Sequence, residues 1–188
     1  MYHSSVKISF TMDRLIGLYS PAPRSGKTLA ATVLAHKGYQ PLSLAEPIKR
    51  MAVEFFMSLG YSREKSLSLA WVDKASVLPE INASSRFVLQ TIGTEWGRSC
   101  IADDIWIRCF CAKAKEFSRV IVDDVRFENE AKAIKDMGGE IWCIKRPFAT
   151  HDSSHTSEGA LDNWDGFDQL IDNSGTMEEF RAKIDKLV

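Results

Sequence analysis

Short apolar runs alternate along the chain with stretches in which apolar residues recur every three or four positions. Leu15-Ile16-Gly17-Leu18-Tyr19 is apolar throughout, the pattern of a strand buried on both faces of a parallel sheet. Residues 27 to about 37 are helix-compatible and stop at Gly38. Residues 40–45 read as a second short strand. From 47 to about 60 an amphipathic pattern returns, with Ile48, Met51, Phe55, Met57 and Leu59. Residues 61–85 are more polar and contain Pro79, which predicts helix fragments and loop. Residues 86–101 have helical spacing at Phe87, Leu89, Ile92 and Trp96, weakened by Gly93 and Gly97. Asp103 is placed to cap a further helix that buries Ile105, Trp106, Phe110 and Ala114. An apolar strand at 119–122 then runs into Asp123-Asp124. A helix over 129–137 stops at Gly138-Gly139, and a strand follows over 140–145. Residues 147–166 are polar and predict an exposed or mobile loop. A last strand covers 169–172, and Thr176 caps a C-terminal helix whose first turn carries Glu178 and Glu179.

Strands alternating with helices place the chain in the α/β class, with a parallel sheet of about five strands covered by helices on both faces. In such sheets ligands gather at the carboxyl ends of the strands. The loop after Tyr19, the acids Asp123 and Asp124, and the segment after Lys145 all fall at such ends. No internal repeat is visible.

A chain of 188 residues fits one domain. It can bury roughly 70% of the surface its unfolded form exposes, so it needs no disulfide or metal staple. With 24 Lys and Arg against 25 Asp and Glu, it lacks the basic footprint of a general nucleic-acid binder. A local phosphate pocket stays compatible with that balance. Cys100, Cys109, Cys111 and Cys143 form no C-x-x-C pair and are expected to be reduced, mostly buried thiols of a cytoplasmic protein. No stretch has the apolar length of a membrane span, and the first residues lack a signal-peptide core. Residues 1–13 read as a flexible extension, with Met12 as an alternative start.

Composition says little about chemistry; two motifs say more. Ser25-Gly26-Lys27-Thr28-Leu29 stands between a predicted strand and a predicted helix. A phosphate loop needs inward backbone N–H groups, a helix N-terminus, a lysine for the outer phosphates and a hydroxyl for magnesium. Ser25, Gly26, Lys27, Thr28 and Leu29 answer that description. Pro21 occupies the slot where such loops carry their first glycine, and Pro23 stiffens the loop further. The alternative is a plain structural turn. The second motif is Val122-Asp123-Asp124-Val125-Arg126-Phe127. A carboxylate at the end of a buried strand, Asp124 or Asp123, can hold Mg²⁺ or its water shell. Arg126 offers a planar fork for a phosphate. A surface ion-pair cluster is the competing account of these three residues.

Several stretches together resemble the bacteriophage deoxynucleoside monophosphate kinases, within the adenylate-kinase-like P-loop group. They are SGKTLAA, LAEPIKRM, LQTIGTEWGR with DDIWIR, VDDVRFENEAKAI with GGEIWCIKRP, and HTSE at His155–Glu158. They run in order from about residue 15 to the C-terminus, and Pro21 is the departure. The resemblance implies a three-layer P-loop nucleoside monophosphate kinase fold. It implies a monophosphate-binding region at about 46–100 and a lid at about 147–166. It implies phosphoryl transfer from ATP to a dNMP, with Mg²⁺. Lys27 would bridge the transferring oxygens, Thr28 would ligate the metal and Asp124 would hold its hydration shell. Arg126 would grip the acceptor phosphate and Arg146 would contact ATP. Glu46, Lys49, Arg50, Arg86, Gln90, Thr94, Glu95 and Arg98 are the acceptor candidates, Gln90 as a reader of base edges. The competing account is that Trp96 and Leu89 are core and that Glu95 and Arg98 form a helix-face ion pair. His151 and His155 are four apart but lack an obvious third ligand, which favours hydrogen bonding in the lid or solvation over zinc. The resemblance also carries expectations of a homodimer, of no stable nucleic-acid binding and of no membrane association. Two alternatives are a P-loop kinase for another small acceptor, such as dephospho-coenzyme A, and a non-catalytic nucleotide-binding protein.

Overall fold

A computed structural model of the chain describes residues 12–147 and 160–188. In chain order the elements are β1 (Arg14–Tyr19), α1 (Lys27–His36), β2 (Gln40–Leu42), α2 (Glu46–Ser58), α3 (Arg63–Trp71), β3 (Val77–Leu78), β4 (Ala83–Ser84) and α4 (Ser85–Gln90). A π-helix (Thr91–Ile101) follows, then α5 (Ile105–Ala114), β5 (Arg119–Val122), α6 (Glu128–Asp136), β6 (Glu140–Lys145), β7 (Gln169–Asp172) and α7 (Met177–Asp185). The chain divides into two compact units. One holds the residues up to Ser43 and from Phe110 onward, and the other is Leu44–Cys109.

The first unit is built on a five-stranded sheet in the order β2-β5-β1-β6-β7, with every pairing parallel. Parallel neighbours need crossover helices, and these cover both faces. On one face Ile16 and Leu18 of β1, Trp142 and Ile144 of β6 and Ile171 of β7 pack with Ala30 and Leu34 of α1 and Phe180 and Ile184 of α7. The intervening positions point to the other face, against α6. There Gly17 leaves no room for a side chain: a Cβ would lie 2.7 Å from Ile141 Cδ1 and 2.9 Å from Ile134 Cδ1. The three-layer α/β architecture and each predicted strand of this sheet are present. Strand β2 stops at Leu42, short of the predicted 45. Pro41 is tolerated in it because β2 is an edge strand, paired with β5 alone.

The predicted lid falls largely on residues 148–159, outside those described. The polar reading of 147–166 is corrected just beyond them. Leu161 is fully buried, Tyr19 donates its phenolic O–H to Asp162, and Phe167 stacks on Tyr19 at 5.6 Å between centroids. Burial, and then the Asp162 carboxylate, push the Tyr19 phenol up. Contacts with Tyr19 and the burial of Leu161 thus hold a stretch whose composition alone suggested solvent.

The second unit has its own core. Ala52, Val53 and Phe56 of α2 pack against Leu69 and Ala70 of α3, with Leu78 and Val88. This corrects the predicted face of α2, since Met51 and Phe55 are more than a third exposed. Phe87 and Trp96 are likewise exposed, so Trp96 is not core, and Val88 takes the buried place. Ser62 caps α3 and Ser84 caps α4 through the backbone N–H groups of Lys65 and Phe87. Strands β3 and β4 pair antiparallel in a hairpin where only helix fragments and loop were expected. Its turn contains Asn82 in the left-handed region, φ 47°.

The largest departure is the π-helix at Thr91–Ile101, where α-helical spacing was expected. Trp106 accounts for it. Its indole N–H donates to the Gly93 carbonyl at 2.7 Å, and its ring fills the space beside Gly97. A side chain inserted against the helix in this way widens its turns. Among the described residues no helix is long and apolar enough to cross a membrane.

A Cβ on Gly97 would sit 2.2 Å from Trp106 Cζ2. The change Gly97→Ala is therefore expected to destabilise the protein by about 1–3 kcal/mol, as overpacking does. Urea denaturation followed by Trp fluorescence measures it, and an unchanged midpoint would show that the ring is not seated there.

Candidate active site

Helix α1 leaves β1 across one face of the sheet towards β2. Helix α6 leaves the neighbouring β5 across the opposite face and delivers the chain to β6, beyond β1. Two adjacent strands whose helices depart to opposite faces leave a crevice at their carboxyl ends. The loop 20–26 and the loop 123–127 flank that crevice.

The first loop ends at Gly26, the N-cap of α1, with φ 110°. No side chain caps this terminus and no acid stands in its first turn. Uncapped N–H groups at the positive end of a helix dipole make an anion site. Gly26 is needed for space as well as for φ, because a Cβ would lie 2.5 Å from Asn173 Nδ2. Ser25 is 1% exposed and its carbonyl accepts a hydrogen bond from Asn173 Nδ2 at 2.7 Å. The Asn173 backbone N–H donates to the Lys145 carbonyl at 2.8 Å. One buried side chain thereby ties the loop to the end of β6. Lys27 and Thr28 open α1, Lys27 half-buried and Thr28 exposed. Leu29 packs its side chain against the core beneath α1, which leaves only its backbone for the loop.

Pro21 sits inside a local turn. The Ser20 hydroxyl donates to the Ala22 carbonyl at 3.0 Å on one side of it, and Ala22 is buried. Pro21, Arg146 and Asp172 help line a cleft of about 310 Å³ beside the loop. Arg146 is exposed, and its Nη1 donates to the Arg24 carbonyl at 3.4 Å. Cys143 lies beneath, its thiol pushed up by burial, with the Lys145 and Lys27 ammonium groups acting in the opposite direction. Only Cys143 among the four free cysteines is fully buried; Cys100 is exposed on the π-helix, against expectation, and Cys109 and Cys111 are half-buried.

At the end of β5, Asp123 and Asp124 are half-buried. Ser43, at the end of the adjoining β2, donates its hydroxyl to Asp124 Oδ2 at 2.6 Å and so orients that carboxylate. Arg126 is exposed. Its backbone N–H and that of Phe127 both donate to Glu130 Oε2, at 2.9 and 3.1 Å.

The second unit carries the other candidates. Glu46 pairs with Arg50 one turn on, and Lys49 Nζ lies 5.7 Å from the centre of the Trp71 ring. Arg86 is exposed near the start of α4, and Gln90 ends it. Thr94 and Glu95 are exposed on the π-helix. Arg98 is oriented by Asp103, to whose carbonyl it donates at 3.3 Å. His151, His155 and Glu158 lie outside the described residues.

A family model for deoxynucleotide monophosphate kinase matches residues 72–184, a span that includes Asp124, Arg126 and Arg146. A protein of Acanthamoeba polyphaga mimivirus, whose name assigns it provisionally to that activity, is 30% identical over 185 residues, covering 90% of this chain and 93% of its own length. The chain belongs to the deoxynucleotide monophosphate kinase family. The Enterobacteria phage T4 protein named deoxynucleotide monophosphate kinase is 28% identical over 106 residues, which are 54% of this chain and 44% of that protein. Among solved structures, that of TT1252 from Thermus thermophilus shares the fold, with a TM-score of 0.53 at 14% identity over 94% of this chain and 97% of its own.

Three residues around this kinase's crevice were not singled out from the sequence: Asn173, Ser43 and Glu130. Glu130 had a partial signal, since a glutamate three residues into a helix reaches back to the N-cap. The N-cap is Phe127, not a Ser, Thr, Asp or Asn, so the usual pattern was incomplete. Asn173 lies 148 residues from Ser25 and carries no local signal at all.

Removing Asn173 frees the loop from β6. Asn173→Ala is expected to weaken binding of a nucleoside triphosphate by roughly tenfold, the scale of one buried hydrogen bond with its orphaned partner. Isothermal titration calorimetry on the folded variant checks this, and unchanged affinity would remove Asn173 from the loop's support.

Proposed function

We propose that the chain transfers the γ-phosphoryl group of ATP to a deoxynucleoside monophosphate, giving ADP and the deoxynucleoside diphosphate. One observation carries this reading. In a member of this kinase family, one sheet edge holds an uncapped helix terminus with Lys27 and Thr28, the carboxylate of Asp124 and the guanidinium of Arg126.

Phosphoryl transfer asks little covalent chemistry of the protein; it asks for positioning and for compensation of charge. The backbone of 25–28 cradles the donor's β- and γ-phosphates, and the Lys27 ammonium follows the γ-phosphoryl as it moves. The loop suits that cargo, since it presents N–H groups, a helix dipole and a lysine, with no acid in the first turn of α1. Thr28 and Asp124 are the residues that would hold Mg²⁺. Their hard oxygen donors suit that ion, and Ser43 turns the carboxylate. When bound, the metal neutralises charge on the β- and γ-oxygens. Arg126 takes the acceptor's phosphate bidentately, which cancels repulsion between two anions and aligns the attacking oxygen. The acceptor is already an anion, so no general base is needed. Arg146 serves the donor. Glu46, Lys49, Arg50, Arg86, Gln90, Thr94, Glu95 and Arg98 supply recognition of the acceptor's sugar and base.

The test is ADP release across dNMPs, ribonucleotide NMPs and dephospho-coenzyme A, with Mg-ATP as donor. Transfer to at least one dNMP is expected, and transfer only to another acceptor would overturn the reading. Lys27→Ala should lower kcat by on the order of a thousandfold, the scale of a lost electrostatic stabiliser, with circular dichroism unchanged. Arg126→Ala should raise the acceptor KM and lower kcat with ATP binding nearly intact, measured by varying each substrate in turn. An unchanged acceptor dependence would remove Arg126 from the site.

A further inference from the structure

We propose that Glu130 is a positioning residue for phosphoryl transfer, which aims Arg126 at the acceptor by fixing the backbone beneath it. The proposal rests on the reading of Arg126 as the acceptor-phosphate ligand.

Glu130 is 4% exposed, an unusual place for a carboxylate. Burying a charge is costly unless hydrogen bonds replace the lost water. One oxygen, Oε2, receives two backbone N–H groups, those of Arg126 at 2.9 Å and Phe127 at 3.1 Å. Both bonds are charge-assisted, and the N-terminus of α6 adds its dipole. The return leg is equally tight. The Phe127 carbonyl accepts from the backbone N–H groups of Glu130 and Ala131, at 3.1 and 3.0 Å.

Helix capping alone would need only the N–H of Phe127, the N-cap residue. The second bond goes one residue further out, to Arg126 itself. On the other side of Arg126, Val125 is 2% exposed and its Cγ2 packs over Gly17. Arg126 therefore stands between a side chain locked into the core and a backbone amide locked to a buried carboxylate, with its own side chain exposed. Such a base removes the freedom of the two dihedrals that would otherwise swing the guanidinium. A bidentate grip on phosphate is sensitive to that aim, because misplacement by about 1 Å can cost roughly a hundredfold in rate. Glu128, two residues earlier in the same first turn, is exposed and provides the contrast: it feels the same dipole without holding the Arg126 amide.

The experiment is a double-mutant cycle on the full chain, with kcat and both KM values measured for ATP and the best dNMP. Glu130→Ala is expected to lower kcat/KM for the dNMP roughly ten- to a hundredfold while the ATP KM moves less than about twofold. Glu130→Gln, which keeps an acceptor oxygen, is expected to recover most of that loss. Glu128→Ala is expected to leave the acceptor kinetics near wild type. In the Arg126→Ala background, Glu130→Ala is expected to cost little more, because there is no guanidinium left to aim. If Glu130→Ala does not fold, Glu130→Asp enters the same cycle, since its shorter stem withdraws the oxygen from both amides. The proposal is overturned if the loss is absent, if it falls equally on both substrates, or if it persists undiminished in the Arg126→Ala background. A normal acceptor dependence of Arg126→Ala itself would instead overturn the assignment of Arg126, and the two failures are thereby told apart.

Discussion

Strand β1 has a parallel partner on each side and apolar packing on each face, and the arrangement of the first unit follows from that. A strand so enclosed exposes no polar edge and no wettable face, so its neighbours must return by crossovers. The register sets Gly17 beside both Val122 and Ile141, which brings the carboxyl ends of β5, β1 and β6 to one edge. Tyr19, Val122 and Lys145 end their strands there, and the chemistry-bearing residues come immediately after. The loop 20–26, the acids and Arg146 are thus neighbours because of how one buried strand is paired. Gly17 is the narrow point of this scheme, since an added methyl group would press on Ile141 of β6 and Ile134 of α6 and force them to shift.

The second unit obeys a different logic. Its core is small, around Phe56, Leu69 and Leu78, and its Thr91–Ile101 helix is held in π geometry by Trp106. A π-helix is less favourable than an α-helix over the same residues and persists where surrounding contacts impose it. Two glycines four residues apart, Gly93 and Gly97, let one indole meet the helix backbone with a hydrogen bond at the first and ring packing at the second. Side chains at Thr94, Glu95 and Arg98 then project in directions that α-helical spacing does not give. Arg98 accordingly meets Asp103, five residues on, and not Glu95.

Those differences mark where the sequence was legible. The sheet was readable because residues 15–19, 120–122 and 141–144 are buried and wholly apolar. Thr176 announced α7 as its cap, and the structure adds the return bond from the Thr176 N–H to Glu179. Gly38 and Gly138 ended their helices in the left-handed region, as a terminal glycine does. Helix faces in the second unit were less legible. Met51 and Phe55 are as apolar as Val53 and Phe56, and only the position of α3 decides which pair is buried. The π-helix and the β3–β4 hairpin depend on contacts with Trp106 and on a positive φ at Asn82, neither of which leaves a periodic trace. Gly26, Lys27, Asp124 and Arg126 were singled out as candidates because motif chemistry is local, and the strand order brings their loops to one sheet edge. Ser43 and Asn173 were not, because each acts on a partner brought near only by strand order.

The two prolines of the loop 20–26 have a thermodynamic consequence. Pro21 and Pro23 have fixed φ, Ala22 between them is buried, and Ser25 is held from behind by Asn173. An empty loop of this kind has few alternative shapes to lose. On the proposed reading, capturing a triphosphate would shed little chain entropy, and more of the contact energy would survive as affinity. The two fixed prolines would then do in advance part of the stiffening that a glycine-rich loop undergoes as its ligand arrives.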